Sequence, residues 1–310
     1  MNKQNSNSTE PSGVLIVNKS EGMTSHDVVN KIRRLYGTRR VGHTGTLDPM
    51  ATGVLVVLIG RSAKACEYLA ADRKRYRAIL RLGLTTDTED TTGTVLSTTE
   101  ALPSFEEIIA VLPRFRGKIQ QIPPMYSALK VGGKKLVDLA RQGISVEREA
   151  REIEIFDLIA TQTSSPSDVI LEVACSGGTY IRTLCADIGQ ALGCGGVMAS
   201  LQRTETGGFP LSLAHTLEEL TEMEPGELAS LLIPTEELFA TDPTVRLPAF
   251  YERLCRSGCE IYQKKIGTSL ATDTRVRICD ENGRFFALGQ VRDYEGGSAI
   301  KAIKTFSLED

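Results

Sequence analysis

The loop at residues 42–53 combines a reactive group with a backbone that can position it. Its sequence, GHTGTLDPMATG, contains a single carboxylate, Asp48, directly before Pro49. The three glycines permit close backbone approach, and the proline stiffens the chain after the acid. A carboxylate fixed in this way can act as a nucleophile or a general base. An acid before proline more often forms a turn or caps a helix, so the loop alone leaves both interpretations open.

Three other side chains are candidates for the same site. Arg182 falls in the first turn of a predicted helix, where its charge opposes the helix dipole and favours an anionic partner. If Asp48 is that partner, we expect the arginine to lower the pKa of the carboxyl group and keep it ionised. Tyr76 offers a stacking platform or a proton carrier, and His43 could stack on a base or contact a phosphate. A surface arginine, a core tyrosine and an incidental loop histidine are the alternatives.

The sequence contains no motif for several other chemistries. It has no P-loop, no dinucleotide-binding fingerprint, no HExxH and no GxSxG. Its seven cysteines include no CxxC pair, and its three histidines have no metal-ligand spacing. We therefore expect side chains alone to carry the chemistry, with no metal and no cofactor.

The charge is unevenly distributed along the chain. Residues 31–81 contain twelve Lys or Arg and three acids, whereas residues 204–245 contain nine acids and no Lys or Arg. The net charge of the whole chain is only −3. This division predicts one surface that binds a polyanion, and a run of solvated charge is the alternative.

Local patterns predict the elements on both sides of the loop. Ser25 is the predicted cap of a helix that runs to about Tyr36 and ends at Gly37. An apolar run over 54–59 predicts a buried strand directly after the loop. A further helix is expected over about 63–71.

Two more elements position the other candidates. The sequence predicts a strand over about 75–82, in which Tyr76 shares the apolar face and the arginines at 75, 77 and 81 lie on the other. An apolar stripe over 179–192 predicts the helix that carries Arg182. The two candidates can therefore face one core from different elements.

Length and composition predict two domains. The 310 residues are 41% hydrophobic, which is enough for a substantial core. Residues 1–12 are polar and expected to be flexible, residues 13–240 form the main domain, and residues 245–306 show the short strands and turns of a small β domain. The longest apolar runs are too short for a membrane span, and the start has no secretory signal. We expect a reduced, cytoplasmic protein.

Several stretches together resemble the bacterial tRNA pseudouridine-55 synthases of the TruB family. The stretch around Asp48 is the most specific, and the chain departs from the family pattern at Ser20 and Gly178. The resemblance implies an α+β fold, with a mixed, largely antiparallel sheet core flanked by helices and a small C-terminal β domain that is PUA-like and binds RNA. The matching segments are GMTSHDVVNKIRR (22–34), RRVGHTGTLDPMATGVLVVLIGRSAK (39–64), KRYRAILRLGLTTDTED (74–90), PPMYSALKVGGKKLVDLARQG (123–143) and CSGGTYIRTLCADIGQALGC (175–194).

The resemblance also implies roles for individual residues. Asp48 corresponds to the catalytic aspartate, Tyr76 to the tyrosine that stacks on the target base, and Arg182 to the arginine paired with the carboxylate. His43 corresponds to a histidine that stabilises the flipped nucleotide. The further pocket residues are Lys19, Tyr180 and Leu201.

The implied activity is conversion of uridine 55 in the T-loop of tRNA to pseudouridine, by base flipping and an Asp-dependent rearrangement of the glycosidic bond without a cofactor. The expected partner is tRNA, and assistance to tRNA folding is an additional expectation. Attack by Asp48 on ribose C1′, attack on uracil C6, and a glycal route remain open. Two other functions also remain: an RNA chaperone without chemistry, and a glycosyl-transferring enzyme for small molecules.

Overall fold

The computed structural model describes residues 10–69 and 73–306, so residues 1–9 of the predicted flexible N-terminus lie outside the described residues. The α-helices are α1 (Ser25–Leu35), α2 (Phe105–Val111), α3 (Leu136–Ala140), α4 (Ile181–Ala191), α5 (Leu217–Glu222), α6 (Pro225–Ser230) and α7 (Ala249–Arg256). The strands are β1 (Gly13–Lys19), β2 (Val41–Thr44), β3 (Thr52–Ile59), β4 (Lys74–Leu82), β5 (Leu84–Thr86), β6 (Val95–Thr98), β7 (Gly117–Gln121), β8 (Lys130–Val131), β9 (Lys134–Lys135), β10 (Arg151–Gln162), β11 (Asp168–Cys175), β12 (Gly196–Thr206), β13 (Phe209–Pro210), β14 (His215–Thr216), β15 (Thr244–Arg246), β16 (Ile261–Tyr262), β17 (Arg275–Cys279), β18 (Phe285–Tyr294) and β19 (Gly297–Thr305).

A ten-stranded mixed sheet forms the centre of the molecule. Its order is β14-β1-β3-β12-β4-β11-β10-β7, with β2 on β3 and β13 on β12. The β1–β14 and β3–β12 pairs are parallel, and the other pairs of this sheet are antiparallel. A second, five-stranded sheet follows the order β15-β17-β18-β19-β16. The predicted α+β class, with a largely antiparallel core and a small C-terminal β domain, is confirmed.

Strand β4 lies in the middle of the large sheet and shows the predicted alternation. Tyr76 is 8% exposed and belongs to an apolar core cluster, while the neighbouring arginines on the strand are more exposed. On the opposite face Arg81 makes a bidentate ion pair with Asp168, and Arg75 pairs with Glu205. The basic face of β4 therefore lies beside acidic side chains of β11 and β12.

The start of α1 differs from the prediction by one residue. Thr24 is the N-cap, since its side chain accepts a hydrogen bond from the Asp27 backbone and Asp27 bonds back to the Thr24 N–H. Ser25 is the first helical residue and is 2% exposed. A threonine with an acid three residues later forms a capping box, which leaves the serine hydroxyl available for another partner.

In place of the helix predicted over about 63–71, the structure has a 3₁₀ segment, Gly60–Tyr68, and residues 70–71 lie outside the described residues. Gly60 has φ +61°, and a Cβ there would lie 2.3 Å from the Pro11 carbonyl. This close approach lets the chain turn sharply out of β3. Tyr68 donates a hydrogen bond to the Ile303 carbonyl, and Arg275 donates to the Tyr68 carbonyl, so the segment packs against the C-terminal sheet.

Several of the acidic residues in 204–245 lie at the N-termini of short helices. Thr216 and Glu219 form a capping box on α5, and Glu224 and Glu227 form one on α6. Carboxylates in the first turn complement the positive end of the helix dipole.

Candidate active site

Asp48 and Arg182 form an ion pair, with 3.0 Å between Asp48 Oδ2 and Arg182 Nε. Arg182 lies in the first turn of α4, as predicted, and its side chain is 7% exposed. Its other nitrogens donate to the backbone carbonyls of Thr88 at 3.2 Å and Tyr126 at 2.7 Å. The guanidinium is thus held by three chain segments, and it fixes the carboxylate in a single place.

The sign of the predicted pKa shift of Asp48 is wrong. Burial raises the pKa of the carboxyl group, and the charge of Arg182 lowers it by less than burial raises it. The nearby acid Asp90 adds to the rise. Desolvation penalises the ionised form wherever water is removed from a carboxylate. The arginine therefore limits the rise and does not reverse it.

Side chains from two other elements, α1 and β1, hold the Asp48 loop. Ser25 Oγ accepts a hydrogen bond from the Leu47 N–H at 2.9 Å and donates to the Leu47 carbonyl at 3.1 Å. Lys19 Nζ donates to the Pro49 carbonyl at 3.2 Å. Both neighbours of the acid are therefore fixed through their backbones, which satisfies buried polar groups and restricts the carboxylate.

Glycine is required at one end of this loop. Gly53 has φ +97°, and a Cβ at this position would lie 2.2 Å from the backbone carbonyl oxygen of Arg203. No side chain fits at that separation. The glycine therefore lets β3 approach β12 directly after the acid.

A cavity of about 420 Å³ opens above Asp48. Tyr76, Tyr180 and Leu201 line it together with Asp48 and Arg182. Gln121, which is 1% exposed, accepts from the Tyr180 N–H at 2.8 Å and donates to the Tyr180 carbonyl at 3.0 Å. Five of the predicted site residues thus meet around one cavity, although they come from distant parts of the chain.

Lys19 and His43 are not among the residues that line this cavity. Lys19 has no exposed surface, and its ammonium also donates to the carbonyls of Ser20 at 2.9 Å and Met23 at 2.7 Å. Burial lowers its pKa to about 8. The lysine therefore supports the loop from behind.

His43 lies on β2, and its carbonyl accepts a weak hydrogen bond from Cys66 Sγ at 3.7 Å. Burial lowers the pKa of its imidazole, which favours the neutral ring. Its buried Nδ1 has no hydrogen-bond partner among the residues that the structure describes.

The amino-acid sequence that contains this site matches a known family of proteins. Residues 33–181 match the family model described as "TruB family pseudouridylate synthase (N terminal domain)", and residues 182–240 match "tRNA pseudouridylate synthase B C-terminal domain". A protein of Clostridium kluyveri named tRNA pseudouridine synthase B is 40% identical over 294 residues, covering 95% of this chain and 99% of the relative. The chain belongs to the TruB family of pseudouridylate synthases. It is therefore an enzyme of pseudouridine synthesis.

Other relatives agree with this membership of the TruB family. A tRNA pseudouridine synthase B of Escherichia coli is 40% identical over 302 residues, covering 94% of each chain. A chain in the crystal structure of a Cbf5-Nop10-Gar1 complex is 25% identical and superposes with a TM-score of 0.75, covering 95% of this chain and 85% of that chain. The similarity extends across both sheets of the fold.

Two residues of this TruB-family site were missed by the sequence interpretation. Asp90, 5% exposed, lies 3.7 Å from Arg182 Nη1 and accepts from the hydroxyls of Thr88 at 2.7 Å and Thr92 at 2.6 Å. Arg203, 1% exposed, lines the cavity from β12. The acidic TTDTED stretch is the signal that could have indicated Asp90, whereas no local pattern distinguishes Arg203 from a surface arginine.

The described residues include no group of three or more His, Cys, Asp or Glu arranged to hold a metal ion. Within the same residues, no helix is long and apolar enough to cross a membrane.

Proposed function

We propose that this protein converts uridine 55 in the T-loop of tRNA to pseudouridine. The observation that carries the proposal is the Asp48–Arg182 pair at the base of a cavity of about 420 Å³, beside Tyr76. Relatives that are 40% identical over almost the whole chain are named tRNA pseudouridine synthase B. The partner is then a tRNA, and the catalytic residues are Asp48, Tyr76 and Arg182.

The geometry is consistent with base flipping. A uridine in a folded T-loop must leave its stack to reach Asp48, which costs a few kcal/mol. Stacking on an aromatic ring such as Tyr76 returns about 1–3 kcal/mol per base. Leu201 and Tyr180 offer the remaining walls of the cavity for the extruded uracil and ribose.

The Asp48 carboxylate has the position of the reacting group. Conversion breaks the N1–C1′ bond, turns the uracil and joins C5 to C1′, with no group gained or lost overall. Asp48 supports this by attacking C1′, by attacking C6, or by assisting a glycal route. In each route its ionised form is required, and Arg182 keeps that form accessible in spite of burial.

A basic hairpin beside the cavity supports RNA binding. It comprises β8, β9 and α3, and it presents Lys130, Lys134, Lys135 and Arg141 around one open pocket. The residues directly before β8, including Tyr126 and Ser127, line the cavity itself. Phosphates of an RNA whose base enters the cavity would lie within reach of these cations. The C-terminal domain, residues 245–306, is proposed as a PUA-like second RNA contact.

The test is the variant Asp48→Asn with tRNA as substrate. We expect tRNA affinity within a few-fold of wild type and no pseudouridine at position 55, measured by filter binding and by chemical mapping of the modified base. Asp157→Asn, which removes a carboxylate on the opposite face of the sheet, is the matched control and should retain full activity. Substantial turnover by Asp48→Asn would contradict the proposal.

The same experiment separates the alternatives. A chaperone without chemistry predicts that wild type binds and refolds tRNA but makes no product. An enzyme for small molecules predicts activity on free uridine with little dependence on salt, whereas RNA binding weakens steeply as salt rises.

A further inference from the structure

Arg203 is among the largest fully buried side chains of the described residues, at 1% exposure, although it carries a positive charge. Its Nε donates to the Val54 carbonyl at 2.7 Å, and its Nη2 donates to the Gly45 carbonyl at 3.0 Å. The ion pairs of the described residues include none for Arg203. A buried cation held only by neutral acceptors favours any anion that forms beside it.

The neighbouring group that can become an anion is the Tyr76 phenol. Arg203 and Tyr76 are register partners on β12 and β4, and both line the cavity, so the guanidinium lies on the same face of the sheet as the phenol. A guanidinium has no acceptor, so the phenol hydrogen cannot point at it. Since both side chains line the cavity, the phenol hydrogen is left facing the cavity.

The reaction needs a proton carrier at this place. When C5 of the uracil is joined to C1′, the hydrogen on C5 must leave and N1 must gain one. A phenol can do both without net change: its O–H proton goes to N1, and the phenolate then takes the proton from C5, whose C–H electron pair enters the ring. Between the two transfers the phenolate is a buried anion, which requires a cation beside it.

We propose that Arg203 is a positioning residue that orients the Tyr76 hydroxyl towards the substrate and stabilises the transient phenolate. The proposal rests on the proposed function, because it assigns a step of that reaction to the Tyr76 site. Lysine cannot replace the arginine. The planar guanidinium can face two carbonyls and the phenol at once, whereas the compact ammonium of lysine cannot reach all three.

The first test uses the variant Arg203→Lys. The matched control is Gln202→Lys, which changes the preceding residue of β12 on the opposite face of the sheet. Single-turnover rates are measured on tRNA with either hydrogen or deuterium at C5 of the target uridine. We expect Arg203→Lys to fold, to bind tRNA within about threefold, and to react about 100-fold more slowly, the range that general acid–base groups contribute. Its C5 isotope effect should exceed that of wild type, while Gln202→Lys should match wild type.

A double-mutant cycle completes the test. If Arg203 acts through Tyr76, adding Arg203→Lys to Tyr76→Phe should slow the reaction less than threefold further. Rate losses that multiply, or a slow Arg203→Lys without an increased isotope effect, would overturn the proposal. If Arg203→Lys does not fold, Arg203→Gln, which keeps a planar donor group without the charge, is measured in the same way. A rate about 100-fold below wild type with an increased isotope effect supports the role, and a rate within a few-fold of wild type overturns it. Wild type that makes no pseudouridine would refute the proposed function itself, which is a separate result.

Discussion

Removal of the Arg182 guanidinium is the perturbation that most directly tests the electrostatics of the site. Arg182→Met keeps the length of the side chain and deletes the charge 3.0 Å from the Asp48 carboxylate. Two opposite charges about 4 Å apart attract by about 4 kcal/mol at an effective dielectric constant of about 20. That loss corresponds to roughly a thousandfold change in the ratio of ionised to protonated Asp48. Because burial already raises the pKa of Asp48, a larger fraction of the carboxyl group should be protonated in the variant than in wild type.

The single-turnover rate of Arg182→Met should therefore be lower than that of wild type at neutral pH and recover as the pH rises. Wild type should lose activity as the pH falls through the raised pKa of Asp48, because the proton occupies the reacting oxygen. In Arg182→Met this loss should move to higher pH. The single-turnover rate on tRNA at pH 7 should be lower than that of wild type, by at most about a thousandfold, and it should rise from pH 7 towards pH 8. The tRNA affinity should change by no more than a few-fold, because the guanidinium faces the acids and backbone carbonyls around it.

Arg81→Met is the control for this prediction. It removes an arginine from a bidentate carboxylate pair on the opposite face of β4 and should leave the pH profile unchanged. If Arg182→Met reacts as fast as wild type at pH 7, or its loss of activity in acid does not move to higher pH, the reasoning about Asp48 ionisation is refuted.

Three further predictions follow from the surroundings of the site. Burial lowers the pKa of Lys19 to about 8, so its ammonium loses a proton as the pH rises through that value. The hydrogen bond that it donates to the Pro49 carbonyl then weakens, and the single-turnover rate should fall above pH 8 because the Asp48 loop is held less firmly. The folded-state pKa lies below the unfolded one, so stability relative to Lys19→Met should instead rise from about pH 8 towards 10.5, and thermal melts that show the reverse would contradict this. Ser25→Ala leaves both backbone groups of Leu47 unpaired and should lower the free energy of unfolding by about 1–3 kcal/mol in urea titrations, with Ser257→Ala on the exposed end of α7 as a mild control. Replacing Lys134 and Lys135 by Glu should weaken tRNA binding and flatten its salt dependence without slowing chemistry on bound tRNA; an unchanged affinity would place the RNA elsewhere.

Residue types and local periodicity were sufficient to predict much of the molecule. The alternation in β4 put Tyr76 on the apolar face, because successive side chains of any strand point to opposite sides. The stripe in α4 placed Arg182 at the start of a buried helix for a similarly local reason. Glycines and a proline around Asp48 predicted a constrained loop. These inferences depend only on neighbours in the chain.

Other features depended on groups that meet only in the folded protein. Arg203 has the local pattern of a surface residue, and its burial follows from the placement of β12 between β3 and β4. The rise in the pKa of Asp48 comes from desolvation by segments that are distant in the chain. The pairing of Asp48 with Arg182 does not by itself reveal this desolvation. Burial and dielectric environment are sums over the whole fold. For this reason the amino-acid sequence identified which side chains could react, while the tertiary structure decided how deeply they are buried, in which direction burial shifts their pKa, and which groups hold them in place.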